Sequence, residues 1–175
     1  EKPKEEKPSK EEKPEKEEKP EKEEKPSKEE KPEKEEEPET EKNEATTNVT
    51  VANDLKAMFL AEIQSNTDLE AVANKLITNE KISEVFLMTM PVEQGYLNGF
   101  KEDVTGFSEG VTFAPMIGTI PFVGYVFKTD APEELVASLE EKAMLNWNIC
   151  TEADEMVTAT YGDYVFFVMA PYSFN

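Results

Sequence analysis

The sequence predicts an α+β domain: a two-layer sandwich of a mostly antiparallel sheet covered by about three helices, preceded by a disordered Glu/Lys/Pro-repeat tail. Three observations lead to this reading. Every aliphatic and aromatic side chain lies from Ala45 onward. Within that part, stretches of helical period give way to short continuous apolar runs. The last two runs flank Gly162-Asp163, a two-residue linker that signals a tight antiparallel hairpin.

The elements follow in order. Leu55, Met58, Phe59 and Ile63 recur at helical spacing after Asn53, a good N-cap residue. Thr67-Asp-Leu-Glu70 has the form of a capping box. Leu69, Val72, Ala73, Leu76 and Ile77 then mark one face of a second helix, which Asn79 can stop. Val85-Phe-Leu-Met-Thr-Met90 is a largely apolar run ended by Pro91, which reads as a central strand buried on both faces. Val111 to Met116 and Phe122 to Phe127 are further strands. Pro115 and Pro121 cannot donate to a ladder, so they mark an edge, a bulge or a strand end. A third helix opens at Asp130, with Pro132 in its first turn and Leu135, Val136, Leu139 and Ala143 facing inward. Met156 to Tyr161 and Tyr164 to Ala170 form the closing hairpin. The predicted order is α-α-β-β-β-α-β-β.

The first 44 residues obey different physics. They hold 20 Glu, 13 Lys and 7 Pro and no apolar side chain. Prolines recur every sixth residue from Pro8 to Pro38. A proline at that interval removes a helical donor and clashes with the preceding turn, so no helix propagates. Without apolar burial nothing offsets the entropy of ordering. Residues 1–44 are therefore expected to be an extended, disordered spacer, and residues 45–175 a small acidic domain. Fully stretched at polyproline-II rise, the spacer spans on the order of 140 Å.

Charge excludes some functions. The spacer is −7 (13 Lys against 20 acids) and the domain −13 (6 Lys against 19 acids), with no Arg and no His in the chain. Such a domain repels a phosphate backbone, so no nucleic acid is expected as a partner. An anionic membrane surface repels it too.

The chain is poor in catalytic chemistry. Cys150 is the single cysteine, so neither an internal disulfide nor a zinc cluster can be built. A reactive thiolate needs a neighbouring cation or base, and the charges around Cys150 are negative, so it reads as an inert, partly buried thiol. Without His there is no serine–histidine pair. Ser138 and Lys142 share a helix face, but that spacing is commonplace. Glu152, Asp154 and Glu155 are clustered carboxylates of the kind hard cations favour, yet the alternating loop with a central glycine is missing. No metal, no cofactor and no catalytic residue is assigned.

The segment from Glu93 to Gly110 is the most informative candidate. It carries Gly95, Gly99, Gly106 and Gly110 with Tyr96, Phe100 and Phe107 between them. A connection this long is either a binding loop or a loop pinned by its own side chains. The binding reading presents Tyr96, Phe100 and Phe107 to a partner, with Trp147, Glu152, Asp154 and Glu155 completing the surface. The competing reading has the aromatics plug the open side of the sheet.

Three short strings carry a family resemblance: Pro121-Phe-Val-Gly-Tyr125, Asn146-Trp-Asn-Ile-Cys-Thr-Glu-Ala-Asp154 and Val165-Phe-Phe-Val-Met169. They resemble pieces of small, uncharacterised surface lipoproteins of Gram-positive gut bacteria (Firmicutes). The order of a charged repeat, a Thr/Asn patch and a folded domain is similar to mature lipoproteins of that group, in which a lipid-bearing cysteine precedes the stalk. The resemblance implies an extracytoplasmic, cell-surface location, with membrane contact only through an N-terminal lipid anchor that is absent from this chain. It implies no activity and no functional residues. The expectation is a non-catalytic binding module on a flexible stalk, its partner an unknown protein or small ligand. The alternatives are an enzyme using carboxylates and a structural domain of a surface assembly.

Overall fold

A computed structural model describes residues 49–174. The chain divides into two units, Glu1–Glu44 and Ala45–Asn175. The expected disordered repeat lies outside the described residues.

The second unit contains helices α1 (Val51–Glu62) and α2 (Leu69–Leu76), a 3-10 turn (Glu80–Ile82), strands β1 (Leu87–Pro91), β2 (Glu109–Pro115) and β3 (Val123–Lys128), helix α3 (Pro132–Lys142), and strands β4 (Glu155–Tyr161) and β5 (Tyr164–Ala170). The five strands form one sheet in the order β1-β2-β3-β5-β4, antiparallel throughout. Gly162 supplies the positive φ, +55°, that the β4–β5 turn requires.

The helical cover is divided between the two faces. Strands β3 and β5 are apolar at consecutive positions because both their faces are buried. Val126, Phe166, Val168 and Ala170 point to the first face, where they meet α1 and α2. Tyr125, Phe127, Val165, Phe167 and Met169 point to the second, where α3 supplies Leu135 and Leu139. On the first face Phe113 of β2 is wholly buried beside Phe122 and Phe166, with ring centroids 5.9 and 6.3 Å away. Its cross-strand partner is Gly124, and a Cβ there would strike the Phe113 ring. The glycine is the space the ring occupies.

The helix starts differ from expectation by one to three residues, for local reasons. Thr50, not Asn53, caps α1: its hydroxyl accepts from the Asn53 N–H and side-chain amide, at 3.3 and 2.9 Å. Val51 and Ala52 are already buried, which pulls the start toward the N-terminus. Asp68, not Thr67, caps α2 by accepting from the Ala71 N–H at 3.0 Å. Asn79 stands beyond the end of α2 and caps the 3-10 turn instead. It is buried. Its amide donates to Asp54 of α1 at 2.6 Å while its carbonyl oxygen accepts from the Lys81 N–H at 2.9 Å. Asp130 does not cap α3. Ala131 takes that position without a side-chain bond, and Pro132 begins the helix as expected.

The run from Val85 to Met90 is corrected more substantially. It was expected as a central strand, but β1 is a sheet edge, and Phe86, Met88 and Met90 are exposed. Pro91 was the signal for an edge; apolar residues at both parities masked it. Pro115 closes β2 and Pro121 precedes β3, so both lie at strand ends.

Candidate functional site

The connection between β1 and β2 folds back over the second face of the sheet. Gly95 and Val104 form a two-bond bridge, N–H to O at 2.9 and 2.8 Å. The Gln94 side-chain amide closes the base: it donates to the Phe107 carbonyl at 2.7 Å and accepts from the Gly106 N–H at 3.1 Å. The tip is tied to the end of α3, because Lys101 N–H donates to Lys142 O and Met144 N–H to Gly99 O, both at 2.9 Å. Gly99 sits at φ +96°, and a Cβ there would lie 2.6 Å from the Met169 side chain. That position therefore requires glycine on both conformational and steric grounds.

This geometry separates the three loop aromatics. Phe100 is 1% exposed, with its ring 4.9 Å from Phe167 and 5.7 Å from Tyr125. Phe107 is buried 4.7 Å from Phe127. The expectation that these two are presented to a partner is corrected: they plug the side of the sheet that α3 leaves open. Leu97 and Val104 join them in the same cluster. Tyr96 alone of the three faces solvent, at 74% exposure. The buried Tyr125 phenol donates to the Asn98 carbonyl at 2.7 Å, and burial pushes its pKa well above the ordinary tyrosine value.

The other candidates do not converge on one site. Trp147 is half-buried against the second-face cluster. Glu152 is exposed and lines a shallow depression of about 330 Å³ with Asn146, Asn148, Ile149, Cys150 and Thr151. Asp154 has a structural partner. Its carboxylate accepts from the Tyr172 N–H at 2.9 Å, and the Tyr172 carbonyl accepts the Val51 N–H at the start of α1 at 3.0 Å. The acid thus closes the C-terminal segment over the first helix. Glu155 opens β4, half-buried, with one carboxylate oxygen shielded and unpaired. Among the described residues no three Cys, Asp or Glu side chains are grouped to hold a metal ion. Cys150 is exposed, not partly buried as expected. Lys142, the partner considered for Ser138, donates to the Asp103 carbonyl at 2.7 Å.

A surface that the sequence reading missed lies on β1. Phe86, Met88 and Met90, 73, 38 and 54% exposed, project on the side opposite Leu87, which is buried in the first-face core. Extending the register one step beyond Leu87–Pro115 places Phe86 opposite Met116, itself 65% exposed. Exposed Ile117 follows. The 93–108 loop and α3 cover the second face over β3 and β5, leaving these side chains in solvent. Among the described residues no helix is long and apolar enough to cross a membrane. No protein-family model matches the chain, and no similar curated protein or solved structure was found.

Proposed function

We propose that this protein is a non-catalytic, extracytoplasmic binding module carried on its charged repeat, and that it contacts its partner through the exposed apolar surface on β1 and the following strand end. The observation that carries this reading is the grouping of Phe86, Met88, Met90 and Met116 in solvent on a domain that is otherwise strongly acidic. Apolar side chains scattered singly over a surface are ordinary, whereas a contiguous patch rimmed by polar groups marks a contact site. Methionine adds a flexible, polarisable surface that adapts to a partner. Buried Phe100 and Phe107 argue against the aromatic-loop version of the same idea, and only Tyr96 of that loop remains available. Export and surface attachment rest on the resemblance to Gram-positive surface lipoproteins and on the spacer-like repeat.

The test uses a photo-crosslinking residue at position 88, compared with one at exposed position 134 on α3. Both are exposed to intact cells of the source organism and to its culture medium. A discrete adduct at 88, competed by untagged protein and absent at 134, supports the reading. Equal labelling at both positions overturns it. Protease shaving of intact cells that fails to release the domain removes the surface location.

A further inference from the structure

We infer that the outer edge of β1 accepts an extended, basic-ended peptide as a sixth strand. This inference rests on the binding reading above and names the chemistry of the partner. Among the described residues β1 pairs only with β2. The ladder phase shows which backbone groups are left over. One step past the strand, the Val92 N–H donates to the Gly110 carbonyl at 2.8 Å, in register with the β1–β2 pairing. Hydrogen-bonded and non-hydrogen-bonded pairs alternate in an antiparallel ladder, so Met88 and Met90 spend their main-chain groups on β2. Leu87 and Thr89 then turn an N–H and a C=O outward, and Pro91 a C=O alone. Such a row is a template for another strand.

Side chains and charge narrow the occupant. A strand added here places alternate residues beside Met88 and Met90, which calls for apolar groups at every second position. Exposed Glu84 and Glu93 stand at the two ends of β1, within a domain of net charge −13 from 6 Lys and 19 acids. Complementarity therefore calls for Lys or Arg at both ends of the incoming segment. A second copy fits poorly. Antiparallel pairing of two β1 edges about Thr89 brings together two domains of net charge −13, with Glu84 of one copy and Glu93 of the other within one residue of each other at both ends of the ladder, and that repulsion opposes it. The chain's own repeat has no apolar side chain to offer.

The probe is a labelled nine-residue peptide alternating valine and threonine, with two lysines at each end. A twin with glutamates at the ends is the control. Both are titrated into the full chain and followed by anisotropy and by amide NMR. Binding of the lysine peptide about tenfold or more tighter than the glutamate peptide, weakening with salt, is expected. The amides of Leu87 and Thr89 should shift and exchange more slowly, while those of Met88 and Met90 keep their protection. Thr89→Pro removes the outward donor together with the Thr89 hydroxyl bond to Asn74 at 2.8 Å, so Thr89→Val, which loses that bond alone, is its control. Thr89→Pro relative to Thr89→Val, and the pair Met88→Lys with Met90→Lys relative to the unaltered chain, should each weaken binding about tenfold with the melting temperature nearly unchanged. No binding of the lysine peptide overturns the inference, even if crosslinking at position 88 persists and the broader binding reading stands. Equal binding of the two peptides, or protection of Leu87 and Thr89 through self-association in sedimentation, overturns it as well.

Discussion

Replacing Phe100 by Ala should destabilise the domain by about 4 kcal/mol, while replacing Tyr96, four residues earlier in the same loop, should change stability by less than about 0.5 kcal/mol. The difference follows from burial. Phe100 is 1% exposed and Tyr96 is 74% exposed. Truncating a buried Phe to Ala costs about 3–5 kcal/mol, from lost transfer free energy and the cavity left behind. Two features place Phe100 within that range rather than below it. Its ring packs against Phe167 and Tyr125, and such aromatic pairs add about 0.5–1.5 kcal/mol each beyond area burial. The backbone on either side is bonded to the end of α3, through Gly99 O and Lys101 N–H, so the loop cannot settle into the cavity. For a domain of this size the loss corresponds to a fall in melting temperature of roughly 12 °C. Urea unfolding of each variant, followed by circular dichroism and by fluorescence of the single Trp147, measures both values. A loss below about 1 kcal/mol for Phe100→Ala would refute the plug and restore the aromatic binding loop. So would an equal loss for the two variants.

Other consequences are open to the same assay. Gly124→Ala drives a methyl into the Phe113 ring, which Phe122 and Phe166 confine, and should cost about 1–3 kcal/mol by overpacking; combined with Phe113→Leu it should cost less than the sum of the single changes, and additive losses would refute the contact. Asn79→Ala breaks the tie between Asp54 and the 3-10 turn and should cost about 1–3 kcal/mol. Asn79→Asp keeps the shape but sets a carboxylate against Asp54, so its loss at neutral pH should shrink as pH falls through the carboxylate range. Tyr125 gives stability an alkaline limit. Burial raises its folded pKa above the unfolded value of about 10, so its contribution is complete below pH ~10 and is lost as pH rises through the folded value. Tyr125→Phe should lose the Asn98 hydrogen bond, about 1 kcal/mol at neutral pH, and flatten that alkaline decline. An unchanged slope in stability against pH above 10 would refute the assignment.

Much of the architecture is written in local pattern. The order of three helices and five strands, the β4–β5 hairpin at Gly162 and the inward face of α2 are periodicity and turn chemistry, which act between residues close in sequence. Caps are less legible. Thr50, Asn53, Thr67 and Asp68 all have capping side chains, and burial of Val51, Ala52 and Leu69 chooses among them.

Composition alone separates residues 1–44 from the rest, and with it the acidity, the missing His and Arg, and the poverty of nucleophile chemistry. Those are properties of side chains counted one by one. Tertiary structure decides what a count cannot express: which faces are covered. Val85 to Met90, apolar but for Thr89, and Tyr164 to Ala170 both carry apolar residues at both parities, yet β5 lies between β3 and β4 with cover on both faces, while β1 is an edge with one face in solvent. Likewise Tyr96, Phe100 and Phe107 are equivalent as aromatic residues in a glycine-rich loop. Only the fold of that loop against α3 buries two of them and exposes the third. Exposure is set by contacts between residues far apart in the chain, and a single sequence does not carry those contacts in its local pattern.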